Sequence, residues 1–90
     1  MGADPTGPLR RADDLEVHEV EDGLVVYDPR SDRVHYLNHT AGLVLELCDG
    51  QTPARIAELI GTAFELDAAP TQAVDECIAT LLREGLVAAE

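Results

Sequence analysis

The sequence is poor in aromatic and basic residues. Its 90 residues include one Phe, two Tyr and no Trp, and the six basic residues, all Arg, face 18 acidic residues. The core is therefore expected to be aliphatic, built from Leu, Val, Ile and Ala. A formal net charge of -12 opposes binding to phosphate backbones, because non-specific affinity for nucleic acid comes mostly from neutralising phosphates. Nucleic acid and anionic membrane surfaces are disfavoured, and a protein or peptide partner is favoured.

Cysteine and long apolar runs are also scarce. Cys48 and Cys77 have no CxxC spacing and lie among apolar residues, so we expect two buried free thiols rather than a disulfide framework. The N-terminal stretch "MGADPTGPLRRADD" lacks the apolar segment of a signal peptide. No run reaches the length of a transmembrane helix. These absences predict a cytoplasmic protein without a membrane partner.

The chain is long enough for a single domain. Residues 1–13 are rich in Gly, Pro and Asp, a composition that predicts a flexible tail, and residues 14–90 are expected to form the folded domain. Alternating apolar positions predict a strand at residues 15–21, and two short apolar segments bounded by turns predict strands at residues 24–28 and 33–37. A "DG" turn and a "DPRSD" turn connect them. Connections this short predict an antiparallel meander.

Three helices are predicted after the strands. Asn38 or Thr40 can cap the first helix, and Gly50 suits its end because glycine accepts the left-handed conformation. Thr52 begins the second helix, and a third runs over about residues 71–84 before a short extended tail. The predicted fold class is α+β, a small winged helix-turn-helix-like domain with a three-stranded antiparallel meander followed by three helices.

Catalytic and metal-binding patterns are not recognisable in the sequence. His35 and His39 are four residues apart, but one falls in a strand and the other at a helix start, so they do not form a helical zinc pair. The two thiols lie on predicted core faces, where a thiol is a poor nucleophile. A winged-helix pattern would favour DNA, yet the third helix carries three acids and one Arg, which opposes it. We expect no enzyme activity, no cofactor and no metal.

The third helix carries a wider apolar arc than packing on one side requires. At about 100° per residue its apolar positions span about 180°, whereas one packed face needs little more than about 100°. Ile78 and Leu82, flanked by Asp75 and Ala79, form one side of the arc that is expected to be exposed. Coverage of this side by the strands is the alternative that the pattern leaves open. An open strand edge beside such a helix face is typical of sites that bind an extended peptide.

Two stretches resemble a known family. They are "VHYLNHTAGLVLELCDGQTPARIAELI" and "VDECIATLLREGLV", with a "YLN-x-TA" junction, a "DG-x-T" break and a closing "L-x-x-x-GLV". Their order and spacing resemble the PqqD-like family over about residues 15–88. These proteins are recognition elements for ribosomally synthesised and post-translationally modified peptides (RiPPs), and they bind the leader segment of the precursor peptide.

The resemblance implies a winged-helix-like fold in which the leader adds a strand to the edge of the third strand and packs against the third helix. The implied peptide-binding residues are Arg33, Val34, His35, Tyr36, Leu37, Val74, Asp75, Ile78, Ala79 and Leu82. Arg33 is expected to pair with an acidic leader residue, and Asp75 with a basic one. The family implies no catalytic residue.

The leading hypothesis is a non-catalytic protein that presents a precursor peptide to a separate modifying enzyme, such as a radical-SAM maturase or a leader peptidase. The product could be pyrroloquinoline quinone, a lasso peptide or another compound, and the sequence does not choose among them. Two alternatives stay open. One is an acidic winged-helix regulator of transcription, and the other is a dimerisation module in which the open edge pairs with a second copy to form a homodimer.

Overall fold

The computed structural model describes residues 7–89. The elements in chain order are β1 (Leu9–Arg11), β2 (Glu16–Val20), β3 (Gly23–Asp28), β4 (Arg33–Asn38), α1 (His39–Leu47), β5 (Asp49–Gln51), α2 (Pro53–Ala63), α3 (Thr71–Arg83) and β6 (Val87–Ala89). The strands form two three-stranded antiparallel sheets, with strand orders β2-β3-β4 and β5-β1-β6. The predicted α+β fold, a meander followed by three helices, is confirmed.

The first sheet is the meander that the alternating pattern predicts. Val26 at its centre pairs with Val17 on β2 and with His35 on β4. Gly23 begins β3 with a φ of 157°, and a Cβ at this position would collide with the carbonyl oxygen of Leu37. Glycine is therefore required here, because it alone tolerates both the dihedral angle and the close approach of β4.

Side-chain caps begin the first two helices. The Asn38 side chain accepts a hydrogen bond from the backbone N–H of Ala41 at 2.8 Å, so Asn38, rather than Thr40, caps α1. Thr52 accepts from the backbone N–H of Arg55 at 3.2 Å, and Pro53 occupies the first turn of α2. Each cap satisfies an amide that has no partner inside its helix.

The core is aliphatic, as the scarcity of aromatic residues predicts. Its largest fully buried side chains come from both sheets and all three helices, and they are Leu9, Val26, Val44, Leu45, Cys48, Ile56, Ile60, Val74, Ile78, Leu81 and Leu86. Full burial of one such aliphatic side chain stabilises the fold by roughly 1.5–3 kcal/mol. Helix α1 approaches β3 at Gly42, where an added Cβ would lie 2.9 Å from Leu24 Cδ1.

The second sheet corrects the predicted N-terminal tail. Residues 9–11 form its central strand, β1, and the Leu9 side chain is completely buried. The prediction of a flexible tail is therefore wrong at these residues, and its first six residues lie outside the described part of the chain. Strand β1 was not predicted because its single apolar residue, beside Pro8 and two arginines, forms no periodic pattern. The strands that pair with β1, which are β5 and β6, lie far along the chain. The predicted C-terminal extended segment is confirmed as β6.

Candidate peptide-binding edge and groove

Strand β4 forms one edge of the meander. Within residues 7–89 it pairs with β3 alone. Because antiparallel pairing uses the backbone groups of alternate residues on each side of a strand, half of the N–H and C=O groups of β4 point away from the sheet. An extended peptide can pair with such groups as an additional strand.

The side chains of β4 alternate between two faces of the sheet. Leu37 is buried on the face that packs against the helices, and it lies opposite buried Leu24. Val34 and Tyr36 point to the other face and are 65% and 58% exposed. The Tyr36 hydroxyl donates a hydrogen bond to the backbone carbonyl of Asp22 at 3.0 Å, which holds the ring against the hairpin. A peptide strand added here would therefore meet a helix-side surface and an outer surface.

An open, mostly apolar groove lies between β4 and α3. Its volume is about 310 Å³, and its lining residues are Tyr36, Leu37, Asn38, Ala41, Cys77, Thr80 and Leu81. We call it the β4–α3 groove. This volume is at the lower end of the range for ligand pockets. The groove continues the free edge of β4, so the side chains of an added strand would enter it.

Helix α3 presents a different flank to β4 from the one that the sequence predicts. Val74 and Ile78 are each 1% exposed, so the prediction that Ile78 is exposed is wrong. The groove contains Cys77 and Thr80, which lie on one side of the buried line of α3.

The predicted residues Asp75, Ala79 and Leu82 lie on the opposite side of that line at about 100° per residue, and none of them lines the groove. Asp75 and Ala79 are exposed, and Leu82 is partly buried. Sequence reasoning missed Cys77 and Thr80 because it looked for apolar residues at the margin of the arc. The apolar arc of α3 extends to both sides of the buried line that contains Val74 and Ile78, and the sequence pattern alone does not show which side faces β4.

His35 places an unusual polar atom on β4. Its Nε2 atom is buried, and it has no hydrogen-bond partner in the described part of the chain. A buried polar atom without a partner costs about 1–3 kcal/mol. Because this atom lies in the middle of the free edge, the polarity of the side chain at this position is expected to affect the stability of the fold.

Arg30 pairs with Asp28 at the β3–β4 turn and joins this turn to the segment that follows α3. The Asp28 carboxylate accepts from the backbone N–H of Arg30 at 3.0 Å and from its Nε at 3.3 Å, and Arg30 Nη2 donates to the carbonyl of Gly85 at 3.3 Å. Burial alone would raise the pKa of Asp28, but the hydrogen bonds and charge of Arg30 outweigh it and hold this pKa below its ordinary value. The sequence places Asp28 at the end of the second strand and the start of the "DPRSD" turn, and it gives no sign of the contact between Arg30 and Gly85.

The Arg30 contact also sets the direction of α3. Because the C-terminal end of α3 lies at the β3–β4 turn and Cys77 lies beside Asn38 in the groove, α3 runs along β4 in the opposite direction. Arg33, exposed at the start of β4, therefore lies toward the C-terminal end of α3. Asp75 lies toward the other end. The two charged residues that the resemblance implies are consequently separated along the site.

The two cysteines are free, as expected. Burial raises the pKa of the Cys48 thiol to about 12, and burial also raises the pKa of Cys77. Both thiols are therefore protonated at neutral pH. Over residues 7–89, no three His, Cys, Asp or Glu side chains are grouped so that they could hold a metal ion. In the same range, no helix combines the length and apolarity needed to cross a membrane.

The comparison with protein families identifies the relationship. Residues 23–87 match the PqqD family, coenzyme PQQ synthesis protein D. The chain belongs to this family. The PqqD match starts at the first residue of β3 and ends at the first residue of β6, so β4, α3 and the groove between them all lie inside it.

Solved structures share the PqqD-family fold. Lasso peptide synthetase B1 complexed with its leader peptide has a TM-score of 0.72 and 24% identity, over 90% of this chain and 98% of that one. TbiB1 in complex with the TbiA(beta) leader peptide has a TM-score of 0.70 and 15% identity, over 90% and 96%.

The third structure is the PqqD truncation of PqqCD from Methylobacterium extorquens, a functional, stand-alone RiPP recognition element. It has a TM-score of 0.69 and 24% identity, over 96% of this chain and 99% of that chain. At these identities the likeness establishes the fold. No match was found among curated proteins.

Proposed function

We propose that this PqqD-family protein binds the leader segment of a ribosomally synthesised precursor peptide and presents it to a separate modifying enzyme, without catalysing a reaction itself. The observation that carries the proposal is the open edge of β4 beside the β4–α3 groove. Two proteins of the same fold, lasso peptide synthetase B1 and TbiB1, hold leader peptides, which supports the proposal.

The leader would bind as a strand antiparallel or parallel to β4. The proposed contact residues on β4 are those that the family resemblance implies, Arg33, Val34, His35, Tyr36 and Leu37. On α3 the contacts shift to Cys77, Thr80 and Leu81, which line the groove. Val74 and Ile78 support the groove from the core, and Asp75, Ala79 and Leu82 lie outside it.

This binding mode divides the interaction into two parts. Backbone hydrogen bonds along β4 supply affinity for any extended chain, and the groove selects the side chains that fit it. An apolar leader side chain would face Leu37 and Leu81, while its neighbours along the strand would lie against Val34 and Tyr36. Holding the leader raises the effective concentration of the attached core peptide at the enzyme. A radical-SAM maturase or a leader peptidase fits the enzyme's role.

Calorimetric titration with the leader of a precursor peptide encoded beside this protein tests the proposal. We expect a Kd in the micromolar range or tighter, which corresponds to about -8 kcal/mol, and a negative heat-capacity change from apolar burial. No binding to such a leader, with the protein shown to be folded, would contradict the proposal.

Two N-methylated leaders then test strand addition. Each carries methyl groups on alternate backbone nitrogens, in complementary registers. Because only alternate N–H groups of an edge-paired strand face β4, one leader should lose binding and the other should keep it. Equal affinity of both leaders would show that the peptide binds in another way.

A further inference from the structure

A second apolar depression lies away from the β4–α3 groove. Its volume is about 300 Å³, and its lining residues are Glu19, Val20, Gly23, Leu24, His39, Gly42, Leu43, Glu46 and Phe64. We call it the Phe64 depression. It lies between the β2–β3 hairpin and α1, with the end of α2 beside it.

The walls of the Phe64 depression follow from helix geometry. His39, Gly42, Leu43 and Glu46 are spaced so that they form one stripe along α1. Gly42 has no side chain, and α1 therefore packs closely on Leu24, which lies at the base. Phe64 follows the last turn of α2 and contributes its ring to the lining.

Two of the six large apolar side chains that are exposed in residues 7–89 line this depression. Phe64, the single phenylalanine of the chain, is 47% exposed, and Val20 is 42% exposed. Both side chains have apolar surface that a partner could remove from water, at about 25 cal/mol per Å².

The rim of the depression is acidic. Glu19 and Glu46 are both exposed, and the lining contains no Arg. His39 is the one side chain in the lining that can become positively charged. The occupant that complements this surface is therefore a segment with apolar side chains flanked by Lys or Arg.

The Phe64 depression and the β4–α3 groove lie toward opposite edges of the meander and on different sides of α1. The Phe64 depression includes residues of β2, whereas the groove includes residues of β4, at the other edge of the meander. They also lie on different sides of α1, since Ala41 lines the groove and Leu43 lines the depression. The two linings share no residue, so a leader on β4 leaves the depression open.

We propose that the Phe64 depression is a docking surface for a basic, apolar segment of the modifying enzyme that receives the leader. This inference rests on the proposed function, because a carrier that hands a bound peptide to a separate enzyme needs a second surface that stays accessible. The apolar base supplies contact area and the acidic rim selects a basic partner.

The first test uses a peptide of defined chemistry. An acetylated peptide of alternating Leu and Lys is titrated into isotope-labelled protein, and a peptide of alternating Leu and Glu serves as the charge control. We expect the Lys peptide to bind at least about tenfold more tightly than the Glu peptide, with chemical-shift changes around Phe64, Leu43 and Glu46. Equal affinity, or changes centred on β4, would overturn the proposal.

Matched variants then identify the surface. Phe64→Ser removes the exposed ring, and Leu66→Ser is the control because Leu66 is 48% exposed but does not line the depression. We expect Phe64→Ser to weaken binding of the Lys peptide, and of the purified enzyme encoded beside the precursor gene, by about tenfold, which corresponds to about 1.4 kcal/mol. Leu66→Ser should change either affinity by less than about twofold.

Charge is tested separately at the rim. Glu46→Lys should weaken both interactions about fivefold or more, whereas Asp67→Lys, at an exposed position outside the depression, should have little effect. Thermal melting confirms that each variant is folded. If Phe64→Ser and Glu46→Lys both leave the enzyme's affinity unchanged, the enzyme does not dock here and the proposal is wrong.

Two further measurements separate the explanations. Leader affinity is measured for every variant and should stay unchanged. If the wild type does not bind the leader, the proposed function is rejected, and this result does not test whether a partner binds at the Phe64 depression. Sedimentation at rising concentration detects self-association. A dimer that Phe64→Ser dissociates would assign the surface to a second copy of this chain and overturn docking of the enzyme.

Discussion

The two edges of the meander differ in charge and in their surroundings. Strand β2 carries Glu16 and Glu19, and Glu21 and Asp22 follow it in the turn. Strand β4 has no acidic residue between Arg33 and Asn38, and it lies beside an apolar groove. Charged side chains on an edge oppose pairing with another strand. Acidic side chains therefore protect one edge of the sheet from pairing, whereas the other edge lacks them and stays available for an added strand.

The largest effect is expected when β4 is given the charge of β2. Val34→Glu combined with Tyr36→Glu should weaken leader binding by about a hundredfold, because two exposed apolar contacts are lost, each worth about 1.4 kcal/mol. The matched control is Val17→Glu with Val20→Glu on β2, where affinity should change by less than about twofold. Calorimetry measures both. Similar losses in the two double variants would show that β4 has no special role.

The flank of α3 can be tested with adjacent positions. Thr80→Glu places a carboxylate in the β4–α3 groove and should weaken leader binding about tenfold, because an apolar leader side chain would have to desolvate the charge. Ala79→Glu, at a neighbouring exposed position outside the groove, should change affinity by less than about twofold. A loss of affinity in Ala79→Glu but not in Thr80→Glu would instead place the leader on the side of α3 that carries Asp75, Ala79 and Leu82.

A smaller effect is expected at His35. His35→Leu removes the buried Nε2 atom that has no partner, and it should raise the free energy of unfolding by about 1 kcal/mol, because a desolvation penalty is removed. Urea unfolding measures the change. A loss of stability would indicate that Nε2 is hydrogen-bonded in solution, as through a bound water.

The smallest effect is expected at Asp28, where the turn between β3 and β4 begins. Because the folded-state pKa of Asp28 lies below its ordinary value, the carboxylate contributes stability above the unfolded pKa of about 3.9. That contribution is lost as the pH falls through the lower folded value. Asp28→Asn should therefore reduce the melting temperature at neutral pH, and the difference from wild type should narrow below about pH 4. Parallel melting curves at all pH values would contradict this role.

Local chemistry explains which predictions are confirmed. The apolar patterns of residues 15–21, 24–28 and 33–37, the "DG" turn and the caps at Asn38 and Thr52 each depend on residues that are close together in sequence. The structure forms strands and helices at these places. β1 and β5 were missed because each is three residues long and exists only through pairing with distant segments.

The candidate site divides in the same way. The resemblance to the PqqD-like family implied Arg33–Leu37 as peptide contacts, and this assignment stays a prediction. Cys77 and Thr80 were not identified, since the apolar arc of α3 is compatible with a strand on either side. The contact between Arg30 and the carbonyl of Gly85 was also missed, because it joins residues that are distant in sequence.

The composition and local patterns of the sequence establish an anionic surface, an aliphatic core, and a meander followed by three helices. These properties depend on composition and on patterns that repeat within one element. The packing of the whole chain sets which flank of α3 faces β4, and which apolar side chains, Phe64 among them, stay exposed. The reason is that burial of a helix face is set by the orientation of all packed elements together, and periodicity within one helix is the same for either orientation.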